Sequence, residues 1–364
     1  PTPLSLYVER DWASREFLVE MFKAVGGSEE YMDGKITELI GHGKESENLA
    51  RLLVPGWETV EQVMPEQLPR PAEPEAGKLT RFIENPILQG IAEHPWESKY
   101  VFNPGTMKLN GKIYILYRGC GEDEVSRIGL AISSDGFHID ERLEEPIFKP
   151  MDKWEKRGCE DPRPVLIKER IYMLYTAYDS VTAQIALASI ALNDFLGRRW
   201  SQWKRHGLVF PGFDNKDATL FPEMFDGRYI MYHRIDPSIW ISSSERLGSP
   251  WPREDHRILL GPGAGMAWDG FKIGGGSQPI KTKYGWLLIY HGVDQSFIYR
   301  LGVLLVALDD PGQLVYRSPN PVLEPDEAYE VGEEGCYVPN VVFTCGAVPS
   351  IDKEVLEDND EVLV

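Results

Sequence analysis

The sequence predicts an all-β protein, a five-bladed β-propeller with a helical extension at its N-terminus. Three observations support this fold class: one segment repeats four times, five strand openings share a polar or proline-containing pattern, and helical periodicity is confined to the first part of the chain. We expect a helical extension over residues 1–62, a proline-rich linker over 63–79, and a propeller over 80–364 whose last blade is incomplete.

The N-terminal part differs in pattern from the rest of the chain. The stretch "SREFLVEMFKAV" places Phe17, Leu18, Met21 and Phe22 on one face of a helix, and two shorter amphipathic patterns follow it. The stretch "MPEQLPRPAEPEAG" then favours an extended linker, because each proline fixes its own backbone torsion and prevents a regular helix.

Four segments from the propeller region have the same form, a turn followed by an apolar strand that contains tyrosine. They are "NGKIYILYRG", "KERIYMLYTA", "DGRYIMYHRI" and "YGWLLIYHGV". Their matching tyrosines, Tyr117, Tyr175, Tyr232 and Tyr290, are separated by 58, 57 and 58 residues. A period of this size with several strands in each unit is typical of propeller blades. The alternative is a sandwich in which tyrosine-rich strands resemble one another by chance.

Five strand openings precede or extend this repeat, and they predict five blades. They are "FNPG" at 102, "EDPRP" at 160, "KDATLFPE" at 216, "GGGSQPI" at 274 and "YVPNVV" at 337. Since the innermost strands of a propeller surround its channel, their polar residues should face one another across it. This set comprises Asn103, Asp161, Lys216, Asp217 and Asn340.

The fifth unit is shorter than the others as the sequence is given. After "YVPNVVFTCGAV" comes a charged stretch, "DKEVLEDNDEVLV", and a complete blade would need about two further strands. Either these strands lie beyond the given sequence or the N-terminal part supplies a closing strand.

Composition excludes several classes of partner. The 364-residue chain has a net charge of −19, which opposes nucleic acid or an anionic membrane as the main partner. Its four cysteines are widely spaced, so we expect buried thiols of a cytoplasmic protein instead of a disulfide framework or a zinc site. No cluster of metal ligands is apparent in the sequence, and no apolar run is long enough to span a bilayer.

The strongest candidate for an acid catalyst is Asp161 in "GCEDPRP". In isolation, an ion pair between Asp161 and Arg163 at the mouth of a strand would explain the motif. At the opening of an inner strand, however, an enclosed carboxyl group can have a raised pKa and act as a general acid. Glu160 and Arg163 would then hold Asp161 in place.

Four cations recur beside the inner strands or directly after the repeated tyrosines. They are Lys216, Arg234, Lys281 and His291. Each alone is unremarkable for a soluble protein, but together they predict a basic pocket within an acidic chain. Such a pocket suits phosphate or another small anion. The many tryptophans and tyrosines are expected to pack between blades.

Taken together, these motifs resemble glycoside hydrolase family 130, the family of mannoside phosphorylases and related mannosidases. The resemblance is carried by "FNPG", "GCEDPRP", "NKDATLFPE", "HRIDPSIW", "PIKTKYGWLLIYHGVD", "ALDDP" and "YVPNVVFTCGAV". It extends from about residue 80 to the end and does not include the N-terminal helices. The family usually continues with one further strand, whose aspartate contributes to the sugar site.

The resemblance implies a five-bladed propeller that cleaves β-mannosides with inversion. Asp161 would be the proton donor, acting through the mannose 3-hydroxyl group, while phosphate attacks the anomeric carbon and releases α-mannose 1-phosphate. Phosphate is thus a co-substrate, and neither a cofactor nor a metal is implied. The phosphate-binding residues would be Lys216, Arg234, Lys281 and His291. The substrate-binding residues would be Asn103, Arg118, Arg163, Asp217 and Tyr337.

Two other functions stay open at this stage. An inverting hydrolase of β-mannosides, or more distantly of furanosides, would need a second carboxylate to activate water, and Asp217 and Glu223 are candidates. Family hydrolases lack the basic cluster that this chain retains, which favours the phosphorylase. The third reading is a non-catalytic carbohydrate-binding propeller. The sequence does not determine the linkage, the second sugar or whether the protein forms a homo-oligomer.

Overall fold

The structure, a computed structural model, describes residues 77–332 and 338–364. The predicted helical extension, most of the linker and Tyr337 lie outside these residues. The described part is almost entirely β-structure, with two short α-helices, α1 (Leu192–Leu196) and α2 (Ala328–Val331). Within it, no helix is long and apolar enough to cross a membrane.

Four blades follow one another along the chain as antiparallel meanders. Blade 1 contains β1 (Tyr100–Leu109), β2 (Lys112–Cys120), β3 (Ser126–Ser133) and β4 (Glu141–Arg142). Blade 2 contains β5 (Gly158–Ile167), β6 (Arg170–Tyr178), β7 (Ala183–Ala191) and β8 (Lys204–Leu208). Blade 3 contains β9 (Lys216–Phe225), β10 (Arg228–Ile235), β11 (Ser238–Ser244) and β12 (Arg257–Leu260). Blade 4 contains β13 (Lys272–Gly275), β14 (Ile280–Thr282), β15 (Gly285–Val293), β16 (Tyr299–Val306) and β17 (Leu314–Arg317).

The final segment, residues 338–364, adds β18 (Val348–Pro349) and β19 (Val362–Leu363), which pair with each other. Its backbone joins the blades on both sides. Tyr299 N of blade 4 donates to Asn340 O at 2.9 Å, and Cys345 N donates to Pro104 O of blade 1 at 3.3 Å. The fifth position of the ring is therefore occupied by this segment.

Five buried apolar clusters hold the ring together, one between each pair of neighbouring units. The first three pack blade 1 on blade 2, blade 2 on blade 3 and blade 3 on blade 4. The fourth joins Ile289 of blade 4 to Val342, and the fifth joins Ile113 of blade 1 to Val348. Five interfaces around one channel are the arrangement of a five-bladed propeller, which confirms the predicted fold class.

The tyrosine repeat appears in the structure with one shift. Tyr117, Tyr175 and Tyr290 occupy equivalent positions, each bonded to an arginine of the outermost strand of its own blade. In blade 3 the strand register places His233 at this position, opposite the bulge of β9. Tyr232 instead packs against Phe221 toward blade 4. Since alternate residues of a strand face opposite sides, a displacement of one residue moves the side chain to the other interface.

Candidate active site

Four residues at the predicted strand openings share an unusual backbone conformation. Asn103, Asp161, Asp217 and Asn340 have φ angles of 50°, 51°, 56° and 60°. Asparagine and aspartate tolerate this left-handed region better than other residues with side chains, which explains their recurrence. The first three coincide with interruptions of the strand register, where a bulge re-aims side chains. The same backbone device thus recurs at the predicted strand openings.

Asp161 lies in a polar cluster contributed by blades 1 and 2. Its side chain is buried, Asn103 Nδ2 donates to its Oδ1 at 2.7 Å, and Arg118 Nη1 donates to the same oxygen at 3.2 Å. Burial opposes ionisation, but the positive charges of Arg118, Lys216 and Arg163 outweigh burial, so the pKa of Asp161 is lowered. The expected rise of this pKa is therefore wrong for the site as built.

Glu160 is the immediate neighbour of Asp161 and shares its arginine. Arg118 Nη2 donates to Glu160 Oε1 at 2.8 Å, and both carboxyl groups are buried. Burial and the negative charge of Asp161 raise the pKa of Glu160, although Arg118 opposes the rise. Two adjacent carboxyl groups thus differ in their acidity because burial and charge act on them in different proportions.

A second charge network surrounds Asp217 at the start of blade 3. Arg234 Nη1 lies 2.8 Å from Asp217 Oδ2, and Arg234 Nε lies 2.7 Å from Asp236 Oδ1. Arg163 Nη2 approaches Asp217 Oδ1 at 3.4 Å. Although Asp217 is buried, which alone would raise its pKa, these cations hold that pKa well below its usual range. Asp217 is therefore an ionised partner for cations.

His291 completes this network from blade 4. Its Nε2 lies 3.2 Å from Arg234 Nη1 and 3.5 Å from Asp217 Oδ2. Burial lowers the pKa of His291 to about 3, so the imidazole is neutral near pH 7. The rings of Tyr299 and Phe343 flank it at centroid distances of 5.9 and 4.6 Å. His291 thus contributes a neutral polar group to the cluster.

Lys216 is a cation whose charge reaches both carboxylate clusters. Its charge acts on Glu160, Asp161 and Asp217, because it precedes Asp217 and lies near blade 2. Throughout residues 77–332 and 338–364, the side chain of Lys216 forms no hydrogen bond or ion pair with the protein. Its ammonium group is therefore available to an anion.

The structure corrects the placement of Lys281. Lys281 Nζ bonds to Glu223 Oε2 at 2.8 Å and lies 5.1 Å from the ring centre of Trp286. Glu223 is seven residues beyond Lys216 on β9, which places it about 20 Å along the strand. Lys281 and Glu223 line a cavity of about 440 Å³ at the far ends of the inner strands. Lys281 therefore does not join Lys216, Arg234 and His291.

Arg163 also differs from its predicted place in the sugar site. Its guanidinium is buried and donates to two backbone carbonyl groups of blade 4, Gly276 O at 3.0 Å and Gly275 O at 2.9 Å. Gly276 lies so close to β15 that a Cβ there would come within 2.6 Å of Ile289 O. Arg163 therefore ties blade 2 to blade 4 behind the site.

Sequence reasoning missed a set of buried carboxylates that hold the repeated tyrosines and their arginines in place. Three buried carboxylates follow a tryptophan and bond to the tyrosine or arginine of the repeat; they are Glu97, Glu155 and Asp269. The dipeptides Trp-Glu at 96, Trp-Glu at 154 and Trp-Asp at 268 carry the same period as the tyrosines and could have revealed them. Asp236, the second partner of Arg234, has no comparable signal.

Comparison with known proteins places the chain in a family. Residues 78–357 match the family model described as beta-1,4-mannooligosaccharide phosphorylase. A 1,2-β-oligomannan phosphorylase from Thermoanaerobacter sp. (strain X514) is 39% identical over 74% of this chain and 89% of its own length. A β-1,2-mannobiose phosphorylase from the same organism is 38% identical over 74% of this chain and 90% of its own length.

Solved structures agree with this assignment. The β-1,2-mannobiose phosphorylase of Listeria innocua, in complex with β-1,2-mannobiose, is 27% identical with a TM-score of 0.62, covering 74% of this chain and 89% of its own. A family structure described as a hydrolase that targets β-1,2 mannosidic linkages in Candida mannan is 26% identical with a TM-score of 0.62, covering 72% and 85%. The chain therefore belongs to glycoside hydrolase family 130, the mannoside phosphorylase family.

Proposed function

We propose that this protein catalyses the inverting phosphorolysis of β-mannosides, with β-1,2-linked manno-oligosaccharides as substrates and α-mannose 1-phosphate as product. The observation that carries the proposal is a cationic cluster built around Asp217 on the blade adjoining Asp161. The reaction uses inorganic phosphate as co-substrate and needs no other cofactor.

Phosphate would bind to Lys216, Arg234 and His291. Among the described residues the Lys216 ammonium group has no ion-pair partner, and Arg234 presents a planar guanidinium that suits a phosphate oxygen. Asp217 and Asp236 hold Arg234 through its Nη1 and Nε atoms, which orients the guanidinium before phosphate arrives. A phosphate anion is already a nucleophile, so the site has only to position it and offset its charge.

The two carboxylates predicted as bases for a hydrolase are poorly suited to that role. Asp217 has a strongly lowered pKa, so it is a weak base, and its oxygens are taken up by arginines. Glu223 lies at the other end of its strand and pairs with Lys281. A water molecule would therefore lack activation by either group, which supports phosphorolysis over hydrolysis.

Asp161 would supply the proton to the departing sugar through the mannose 3-hydroxyl group. Because the surrounding cations lower the pKa of Asp161, this pKa must rise when ligands bind so that Asp161 carries a proton at the moment of cleavage. A phosphate anion beside Lys216 would offset the cation that acts on Asp161 and thereby raise the pKa of Asp161. Phosphate binding would thus prepare the acid as well as deliver the nucleophile.

The β-1,2 linkage is supported by the relatives. The two Thermoanaerobacter proteins and the Listeria complex named above all have β-1,2-linked mannosides in their descriptions. The family model carries a β-1,4 description, which makes the β-1,4-linked disaccharide the natural comparison substrate.

The test incubates the protein with β-1,2-mannobiose or β-1,4-mannobiose, with and without inorganic phosphate. We expect α-mannose 1-phosphate from the β-1,2-linked sugar only when phosphate is present. Free mannose formed at the same rate without phosphate would assign the protein to the hydrolases instead. No turnover of either sugar by the folded protein would favour a binding propeller.

Variants connect the activity to the site. Asp161→Asn should abolish turnover while leaving the fold intact, because the amide of asparagine is not acidic enough to transfer a proton. Lys216→Ala should raise the KM for phosphate by roughly 10- to 100-fold, the range for losing a charge-assisted contact of about 1.5–3 kcal/mol. Lys281→Ala is the matched control. It should leave the KM for phosphate within about twofold, because Lys281 lies at the other end of the channel and does not contact the proposed phosphate site.

A further inference from the structure

We propose that Glu160 is a positioning residue for the reaction, which rests on the function proposed above: by sharing Arg118 with Asp161, it keeps the catalytic carboxyl group able to hold its proton. The geometry that carries this inference is one guanidinium between two buried neighbouring carboxyl groups. Glu160 does not need to touch the substrate for this role.

The contacts of Arg118 divide unequally between the two acids. Arg118 Nη2 lies 2.8 Å from Glu160 Oε1, whereas Arg118 Nη1 lies 3.2 Å from Asp161 Oδ1. The third nitrogen, Nε, donates to Ser126 Oγ at 2.9 Å. The guanidinium is thus held from two sides, and Asp161 receives only its longer contact.

This division has a clear electrostatic consequence. If Glu160 released Arg118, the guanidinium could bind Asp161 in the bidentate manner that arginine prefers, and the ionised form of Asp161 would become more stable. An acid catalyst works only while protonated, so stronger pairing with Arg118 would make Asp161 a poorer donor near neutral pH. The negative charge of Glu160 acts in the same direction, because like charges oppose each other's ionisation.

The groups facing the pair come from several strands. Cations reach it from blades 1, 2 and 3, and the thiols beside it are buried. These charged and titratable groups are Arg118, Cys159, Arg163, Lys216, Arg234 and Cys345. Of these cations, Arg118 bonds to both acids. Glu160 therefore controls how strongly Arg118 pairs with Asp161.

The activity test is the pH dependence of kcat/KM in wild type and Glu160→Gln. Because Asp161 must be protonated, activity falls as pH rises through its pKa in the working enzyme. Without Glu160 that pKa drops, so we expect the basic limb to move toward acid by about one pH unit and the rate on that limb to fall about tenfold. A uniform loss at every pH with an unmoved limb would show a structural role only and overturn the proposal.

Glu155→Gln provides the matched control. Glu155 is a buried glutamate of blade 2 that bonds to Tyr175 and Arg205 away from the channel. Its replacement should lower the free energy of unfolding and leave the basic limb where it is. A shift of the limb equal to that of Glu160→Gln would contradict a specific effect through Arg118.

A second measurement does not depend on activity. Glutamate side chains labelled with ¹³C at the carboxyl carbon allow Glu160 to be titrated by NMR, with its signal assigned by absence from the E160Q and E160D spectra. In Asp161→Asn the pKa of Glu160 should fall by about one unit, because the neighbouring negative charge is gone and the charge of Arg118 is no longer shared with Asp161. An unchanged titration would refute the coupling. Absence of α-mannose 1-phosphate from wild type would refute only the proposed function.

Discussion

Asp217 offers the sharpest test of the charge network that builds the site. The perturbation is Asp217→Asn, which keeps the size of the side chain and removes its charge. The side chain of Asp217 is only 1% exposed, and the cations around it lie 2.8 Å (Arg234) and 3.4 Å (Arg163) away. Removing one member of a buried ion pair costs about 3–5 kcal/mol, because the remaining charge stays buried without compensation.

The lower end of this range applies to Asp217. Arg234 retains Asp236 at 2.7 Å, and Arg163 retains two carbonyl acceptors, so neither cation is left without a partner. We therefore expect a loss of about 3 kcal/mol in the free energy of unfolding. For a domain of this size, that corresponds to a fall in Tm of about 6–12 °C.

The pH dependence provides the signature of a charge effect. The folded-state pKa of Asp217 is lowered relative to the unfolded chain, so its stabilisation is complete above the unfolded pKa, near 4, and is lost as pH falls through the folded value. The difference between wild type and variant should accordingly shrink as the pH is lowered below about 4.

Urea unfolding followed by tryptophan fluorescence at several pH values measures this difference. Asp309→Asn is the control, because Asp309 is exposed and such changes stay within about 0.5 kcal/mol. A loss below 1 kcal/mol at pH 7, or a loss that stays constant down to pH 3, would refute the reasoning.

Three further predictions follow from the packing around the site. In Gly274→Ala, the new Cβ would lie 2.5 Å from Asp217 Oδ2 and from His291, so we expect kcat/KM to fall roughly 10- to 100-fold in a phosphorolysis assay; unchanged kinetics would contradict the close packing. Tyr290→Phe leaves Asp269 without the hydroxyl that bonds to it at 2.8 Å, so unfolding should become easier by about 1–3 kcal/mol, whereas Tyr284→Phe at an exposed site should cost less than about 1 kcal/mol in the same denaturation. Cys345 is buried and its pKa is raised, so iodoacetamide at pH 8 should leave it unmodified in the native protein. Rapid alkylation of Cys345, detected by mass spectrometry, would contradict this burial.

The repeat in the sequence was sufficient to predict the architecture because each blade satisfies its own backbone hydrogen bonds locally. Turn residues such as Asn110-Gly111 and Asp226-Gly227 adopt positive φ angles that suit tight hairpins. The family was also predicted from its motifs and is confirmed by the family model over residues 78–357. Local chemistry and periodicity therefore determined the fold class.

Sequence reasoning was less reliable about which side chains meet. The sequence predicts that Lys281 and His291, ten residues apart, share a pocket, but β14 and β15 carry them to opposite ends of the channel. Tyr232 matched the repeat by type, whereas His233 matches it by register. In each case the outcome depends on the direction and pairing of a strand, which composition and spacing do not encode.

By itself, the sequence determined the propeller and its strand openings and singled out Asp161 as the candidate acid, because these inferences depend on local turn chemistry and on repetition. Only the tertiary structure decided the charge state of the site. The pKa of Asp161 depends on Arg118 from blade 1 and Lys216 from blade 3, and that of Asp217 depends on Arg234. Electrostatic interactions act through space, so the acidity of a buried carboxyl group is set by whichever strands fold beside it.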